Sequence, residues 1–509
     1  MTTTQPTYLS HRQILVVLSG LMTGMFLAAL DQSIVGTALP SITSDLKGLD
    51  KLSWVVTAYL LSSTAATPLW GKISDLYGRR LIFQTAIITF LVGSFLCGFA
   101  RNIEELIAFR AVQGIGGGGL MALALATIGD IVPPRERGRY MGYMGVVFGT
   151  SSVLGPVLGG FFAEGPGWQW IFWLNIPIGM VALVVTSVAL KLPHTRREHS
   201  IDFLGAAVLV GSVSSLLLYT AWAGPDHGWD SGLGLSLIIG AMAGTALFIF
   251  VEMRSKEPIL PMQLFSNSIF TITNIFASLM GIAMFGAIIF VPLFLQIVNG
   301  MSPTQSGLGM VPMIIGLFSA SIPSGHRVSK TGRYKIFPIV SSITVLGAIL
   351  LLASLDAHSP YWRVGIGTYA LGFGLGLTMQ LLTLIVQNSV DPRYMGIATS
   401  TVTFFRNLGG AFGTALFGAI LNTRLASHLA DSLGSSVAGS GKIDTRDVSA
   451  IHHLSQPVQG KVIEAFADSL HDVFLTALPV VALAFFFSLF IKEIPLRTRA
   501  EAQIATPAE

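Results

Sequence analysis

A chain of 509 residues that is 52% hydrophobic and only 11% charged is not a soluble domain, in which about a quarter of the residues carry charge. Its net charge of +4 comes from basic residues scattered between apolar segments, not gathered in a patch, which excludes a nucleic-acid surface. The single cysteine, Cys97, excludes an intrachain disulfide and a cysteine-based metal site.

A membrane-crossing helix needs about 20 mostly apolar residues. After a short polar N-terminus without a signal-peptide cleavage site, hydropathy predicts such helices over residues 13–39, 52–70, 81–100, 103–131, 140–163, 170–190, 203–223 and 233–251. Six more follow over 269–298, 306–323, 336–355, 364–387, 396–421 and 473–491. The expectation is an all-α polytopic membrane protein with fourteen transmembrane helices and both termini on one side. Of the 30 Lys and Arg residues, 20 fall on the side shared with the N-terminus, among them Lys72, Arg79, Arg80 and Arg333. Eight fall on the other side, and Arg110 and Arg406 lie inside spans. The excess places both termini in the cytoplasm. All eight tryptophans fall near predicted span ends, where an amphipathic ring suits the membrane interface. Residues 422–472 read as one long polar outer loop, whose His452-His453 pair is read as solvated rather than metal-binding.

Asp31 is the one acid well inside the first span. An unpaired charge at the bilayer centre costs at least ~2.5–3.5 kcal/mol, so Asp31 needs a cavity or a partner. Arg110, in the fourth span, is the natural partner. Counted from the outer span ends, the two lie at depths of ~12 Å and ~10 Å. A carboxylate between burial and an arginine is switchable between proton and substrate; a fixed ion pair tying two helices is the alternative.

Between the second and third spans comes Gly71-Lys72-Ile73-Ser74-Asp75-Leu76-Tyr77-Gly78-Arg79-Arg80, a basic glycine-containing turn that must lie outside the hydrocarbon. The fourth span carries Arg110-Ala111-Val112-Gln113-Gly114-Ile115-Gly116-Gly117-Gly118-Gly119. This formally contains G-x-G-x-x-G, but no strand precedes it, so a nucleotide site is rejected and the glycines are read as close helix contacts. The fifth span has a glycine row through Gly155-Pro156-Val157-Leu158-Gly159-Gly160, with Pro156 expected to bend the helix. Arg406 sits in the middle of the thirteenth span, and no acid lies within a span of the C-terminal half. Water, backbone carbonyls or an anionic substrate group are its candidate partners. Tyr59, Met284 and Phe405, with Gln113 and Arg406, are candidates for an adaptable substrate cavity.

Several segments recur at an offset of 254 residues: Arg139-Tyr140-Met141-Gly142 as Arg393-Tyr394-Met395-Gly396, Gly155 and Gly159 as Gly409 and Gly413, and Gly71, Gly78 and Arg79 as Gly325, Gly332 and Arg333. Two parallel six-helix halves are expected, over 1–200 and 256–509, with two inserted helices over 201–255. Ser329 stands where Asp75 stands in the first copy.

These stretches resemble the major facilitator superfamily. The loop at Gly71 looks like its G-x-x-x-D-x-x-G-R-R/K signature, and Arg110–Gly116 is similar to its fourth-helix motif. The run ending at Gly160 resembles the motif of exporting members. Trp168-Gln169-Trp170-Ile171-Phe172-Trp173-Leu174-Asn175-Ile176-Pro177-Ile178-Gly179 resembles the stretch opening the sixth helix of fourteen-helix drug:proton antiporters. The resemblance implies a major facilitator fold arranged 6 + 2 + 6. It implies proton coupling through Asp31 and Arg110, and conformational gating through Gly71, Asp75, Gly78, Arg79, Arg80, Gly155, Pro156 and Gly159. Asp75 is expected to dock against the opposite half, near the start of the thirteenth helix at Tyr394.

The functional expectation is a proton-driven exporter of hydrophobic or amphipathic drugs across a bacterial cytoplasmic membrane. The alternatives are a dedicated exporter of one lipid, siderophore or self-made antibiotic, and nutrient uptake by proton symport. The expected partners are a small amphipathic molecule, protons and the bilayer, with no nucleic acid, metal or cofactor, and a monomer is compatible with the pattern. No zincin helix, nucleophile elbow or phosphate-binding loop is present, so an enzyme is not expected.

Overall fold

The computed structural model describes residues 11–46, 52–132, 134–190, 202–219, 230–255, 258–391, 394–433, 455 and 458–496. Side chains of some residues within these helices, Pro156 among them, lie outside the description, as does the His452-His453 pair. The described residues build seventeen α-helices and one short 3-10 turn. In the first part of the chain these are α1 (His11–Asp45), α2 (Leu52–Tyr77), α3 (Arg79–Cys97), α4 (Ile103–Ile131), α5 (Pro134–Glu164), α6 (Gln169–Trp173) and α7 (Asn175–Ala189). Then come α8 (Phe203–Leu218), α9 (Gly232–Arg254), α10 (Ser268–Ile297), α11 (Pro303–Leu308) and α12 (Val311–Thr331). The last are α13 (Ile336–Ala353), α14 (Tyr361–Thr378), α15 (Leu381–Ser389), α16 (Met395–Leu433) and α17 (Val458–Leu489). Among the described residues, 11 helical stretches are long and apolar enough to cross a bilayer. Helices α2, α5 and α8 occupy the remaining three predicted span positions.

The outer loop needs correction, and two spans need refinement. The sixth predicted span is α6 and α7 together, one helical stretch over Gln169–Ala189 in which Leu174 keeps helical torsions. Pro177 leaves the Trp173 carbonyl without its usual N–H partner at this junction. The twelfth span is likewise α14 and α15 in one helical stretch over Tyr361–Ser389, joined through Met379-Gln380 after a glycine-rich stretch of weak helix propensity (Gly372, Gly374, Gly376). Much of the expected outer loop is helix: α16 runs on to Leu433 and α17 starts at Val458. These extensions close on an apolar seam of Leu425, Leu429, Val462, Ala465 and Phe466. Trp70 and Trp168 are buried within the bundle. Trp70 donates to the Ile115 carbonyl (2.7 Å) and Trp168 to the Asp45 carboxylate (2.8 Å).

Helix-on-helix packing rests on small residues, as expected where lipid supplies no hydrophobic drive. The glycine run of α4 serves two neighbours. Gly114 and Gly118 lie against the α2 backbone at Tyr59 and Ser63, while Gly116 lies against the α3 backbone at Ala86 and Phe90. The helix pair α8 and α9 reaches both parts of the bundle: α8 packs against α2, while Leu209, Val213 and Leu217 of α8 and Phe248 of α9 join the buried core of the C-terminal helices.

The first and second halves of the chain close on each other at the basic end of the bundle, which carries Lys72, Arg79 and Arg80. There Gly71 of α2 approaches Gly396 and Ser400 of α16, and Gly129 of α4 approaches Gln387 and Met395. Gln387 clamps the contact, donating to the Leu125 carbonyl (3.2 Å) and to Thr399 (2.8 Å). Along the side, Gly149 of α5 meets Ile314 and Phe318 of α12.

Candidate functional site

Asp31 and Arg110 meet inside the bundle. Arg110 Nη1 lies 2.5 Å from Asp31 Oδ2, with both side chains at most 2% exposed. Burial of this kind is tolerable only when each remaining lone pair and proton finds a partner. Asp31 Oδ1 accepts from Gln113 Nε2 (2.8 Å) and from Asn175 Nδ2 (3.0 Å). Arg110 donates to Gln113 Oε1 (2.8 Å) and to the Val55 carbonyl (3.4 Å). Its guanidinium lies 4.3 Å from the Tyr59 ring centroid, a cation–π contact. Ser94 closes the circuit: it accepts from Gln113 (3.1 Å) and Asn175 (2.9 Å) and donates to the Phe172 carbonyl (2.8 Å).

Six helices hold this network, and local sequence positions each donor. Gly93 lets α3 lie against the backbone of α4 at Gln113, which sets Ser94 beside the Gln113 amide. Asn175 is the first residue of α7, and its side chain reaches Asp31 from there. Tyr59 and Gln113, named above for a substrate cavity, surround the ion pair. Ser94 escaped the sequence reading. So did the role of Asn175, although it stands within the Trp168–Gly179 stretch.

A second cluster lies at the basic end. Gly78 adopts φ 95°, a left-handed conformation that glycine allows without strain, and the chain turns there from α2 into α3. The turn brings Arg79 back onto Asp75 (Nη2 to Oδ1, 2.6 Å) and onto Asp130 at the end of α4 (Nε to Oδ2, 2.6 Å). Arg79 also donates to Ser74. Both Asp75 oxygens lie against Gly396, in the first turn of α16. A helix N-terminus attracts an anion there, and Gly396 leaves the room a side chain would take. Burial pushes the Asp75 carboxyl up to about 6, against the opposing pull of Arg79. Arg80 is exposed and stands apart from this cluster. Asp130 was not singled out from the sequence.

Of the fifth-span glycines, Gly155 lies against Ser33 of α1, whose hydroxyl donates to the Ser151 carbonyl (2.8 Å), and Gly159 is buried. Helix α5 runs unbroken through position 156. Met284 and Phe405 are half-buried against the core of the second half, Phe405 in ring contact with Phe265 (6.3 Å). Arg406 is buried at 8% exposure.

The Major Facilitator Superfamily family model matches residues 21–414. The multidrug transporter protein MdtP of Bacillus subtilis is 39% identical over 515 residues, covering 96% of this chain and 95% of that one. Multidrug resistance protein 3 of the same organism is 34% identical over 494 residues, covering 95% and 96%. The proton:xylose symporter XylE superposes with a TM-score of 0.63 at 13% identity, covering 97% and 99%, which shows a shared fold.

Proposed function

The chain belongs to the major facilitator superfamily and is a multi-pass membrane transporter, and within that family we propose that it exports hydrophobic or amphipathic compounds in exchange for protons. The observation that carries the proton is the Asp31 carboxylate, buried in mid-span and held by Arg110, Gln113 and Asn175. Relatives named as multidrug transporters and the glycine row of α5 support the outward direction.

In this reading Asp31 takes up a proton on the outer side, which neutralises the partner of Arg110 and frees the donors around it. The halves rock, the basic end opens to the cytoplasm, and proton release accompanies substrate binding. Asp75, Arg79 and Asp130 act as the latch of the closed basic end. Both termini lie in the cytoplasm of a bacterial cell, in keeping with the positive-charge bias. One proton crossing 100 mV supplies ~2.3 kcal/mol, and a pH unit adds about 1.4 kcal/mol. Together they sustain a substrate gradient of roughly several hundred-fold.

Reconstitution tests the exchange. In proteoliposomes with an imposed pH gradient, substrate movement in one direction is expected to dissipate the gradient through the other, and Asp31→Asn is expected to uncouple the two. Substrate movement that leaves the gradient untouched contradicts proton exchange.

A further inference from the structure

Arg406 is a buried charge that the reading above leaves unused. It is 8% exposed, its Nε has no partner, and no carboxylate pairs with it among the described residues. Arg110 solves the same burial with a carboxylate, an amide, a carbonyl and a ring. At the positions 254 residues beyond Asp31 and Arg110 stand Phe285 and Val364, so the second half carries no copy of that pair.

The place of Arg406 on its helix is informative. Gly396 and Ser400 mark the face of α16 that meets α2, and Gly409 and Gly413 mark the face that meets α10. At about 100° per residue, Arg406 falls at the edge of the α10 face, on the arc that leads toward the α2 face, together with Gly410. The Arg406 backbone lies against Gly281 of α10, and Phe285, the counterpart of Asp31, lies against Gly410. Arg406 therefore sits where α16 passes from its contact with α10, of the same half, toward its contact with α2, of the other.

Neighbouring helices add a second observation. Thr273 and Asn274 of α10 and Gln380 and Thr383 of α15 each have a buried side-chain oxygen without a partner. Both helices pack against α16. Gln380 stands at the junction of α14 and α15. Threonine hydroxyls rotate to donate, so Thr273 and Thr383 each hold a free donor, while the Asn274 amide nitrogen is spent on the Phe270 carbonyl (2.8 Å). The charge balance of this region thus lacks one anion and has two hydroxyls free to donate. Asp31, by contrast, has both oxygens engaged and offers nothing to a cationic substrate.

We propose that Arg406 is the anion subsite of the transport path and that the exported compounds are amphipathic organic acids, whose acidic group supplies the missing counter-charge. This rests on the exporter reading and names its substrate class. The planar guanidinium, with its fork of donors, suits a carboxylate or sulfonate.

The test uses a xanthene dye with a free carboxylate and the methyl ester of the same dye, followed in energised proteoliposomes containing the full chain. The wild type is expected to move the carboxylate form about tenfold faster than the ester, the discrimination worth one charged contact. Arg406→Gln is expected to bring the ratio close to one, and Arg406→Lys to keep it within about threefold of wild type. A wild-type ratio near one, or an unchanged ratio in Arg406→Gln, overturns the anion subsite and leaves the exporter reading standing. Movement of neither form by the wild type overturns both. If Arg406→Gln does not accumulate, the wild-type ratio and the Arg406→Lys ratio decide.

Discussion

Asn175 donates its side-chain amide to Asp31 at 3.0 Å from the start of α7. A neutral side chain on one span thus completes the coordination of a carboxylate carried by another. The same carboxylate takes its remaining bonds from Arg110 and Gln113 of α4, so three helices converge on one acid.

Removing one member of this network should cost more than removing two. Arg110→Ala leaves the Asp31 charge buried without its counter-ion, and breaking a buried pair costs about 3–5 kcal/mol. Thermal unfolding of purified protein should show a large loss for Arg110→Ala and a partial recovery in the Arg110→Ala, Asp31→Asn double variant. Losses that simply add would show that the two side chains do not interact.

The glycines of α3 and α4 set the depth of that network. A Cβ at Gly93 would meet the backbone of Gln113, and one at Gly118 the backbone of Ser63. Gly93→Val and Gly118→Val should each destabilise by about 1–3 kcal/mol and reduce transport, because backbone on backbone has no room to yield. At Gly347 of α13 an added Cβ meets nothing within 4 Å. Gly347→Ala should be neutral or slightly stabilising in the same unfolding assay, and a large loss there would contradict the packing argument.

The latch at the basic end should respond to pH. In the closed form burial holds the Asp75 carboxyl up at about 6, whereas a solvated carboxyl in the open form titrates near its ordinary 3.8. The form with the higher pKa binds its proton more tightly, so closure gains as pH falls from above 6 toward 3.8, with no further gain below both values. Spin labels at the exposed positions Tyr77 and Arg333 should report a growing short-distance population between pH 7 and pH 5, about the range in which a raised acid titrates. Asp75→Asn should remove the dependence. A population that shifts toward longer distances on acidification would reverse the assignment.

How much of this could be read from the sequence depended on residue type. Asp31 and Arg110 stood out because a charge in an apolar span is rare and demands a partner, and their similar depth named each other. Ser94 and Asn175 did not, since neutral polar residues are cheap enough to be common in spans. Asp130 was hidden for a different reason: an acid at a helix end is ordinary until the fold brings Arg79 to it. The outer extensions of α16 and α17 were missed because Ser, Asp and His lower the average. The spacing of Leu425 with Leu429, and of Val462 with Ala465 and Phe466, is nonetheless that of a helix face.

The most direct measurement is dye efflux from energised cells expressing the wild type or Asp31→Asn at equal protein levels, with and without a protonophore. The account predicts efflux by the wild type that is abolished by the protonophore and by the substitution alike. Wild-type efflux that survives the protonophore contradicts proton coupling, and efflux that survives in Asp31→Asn contradicts the assignment of the proton to that carboxylate.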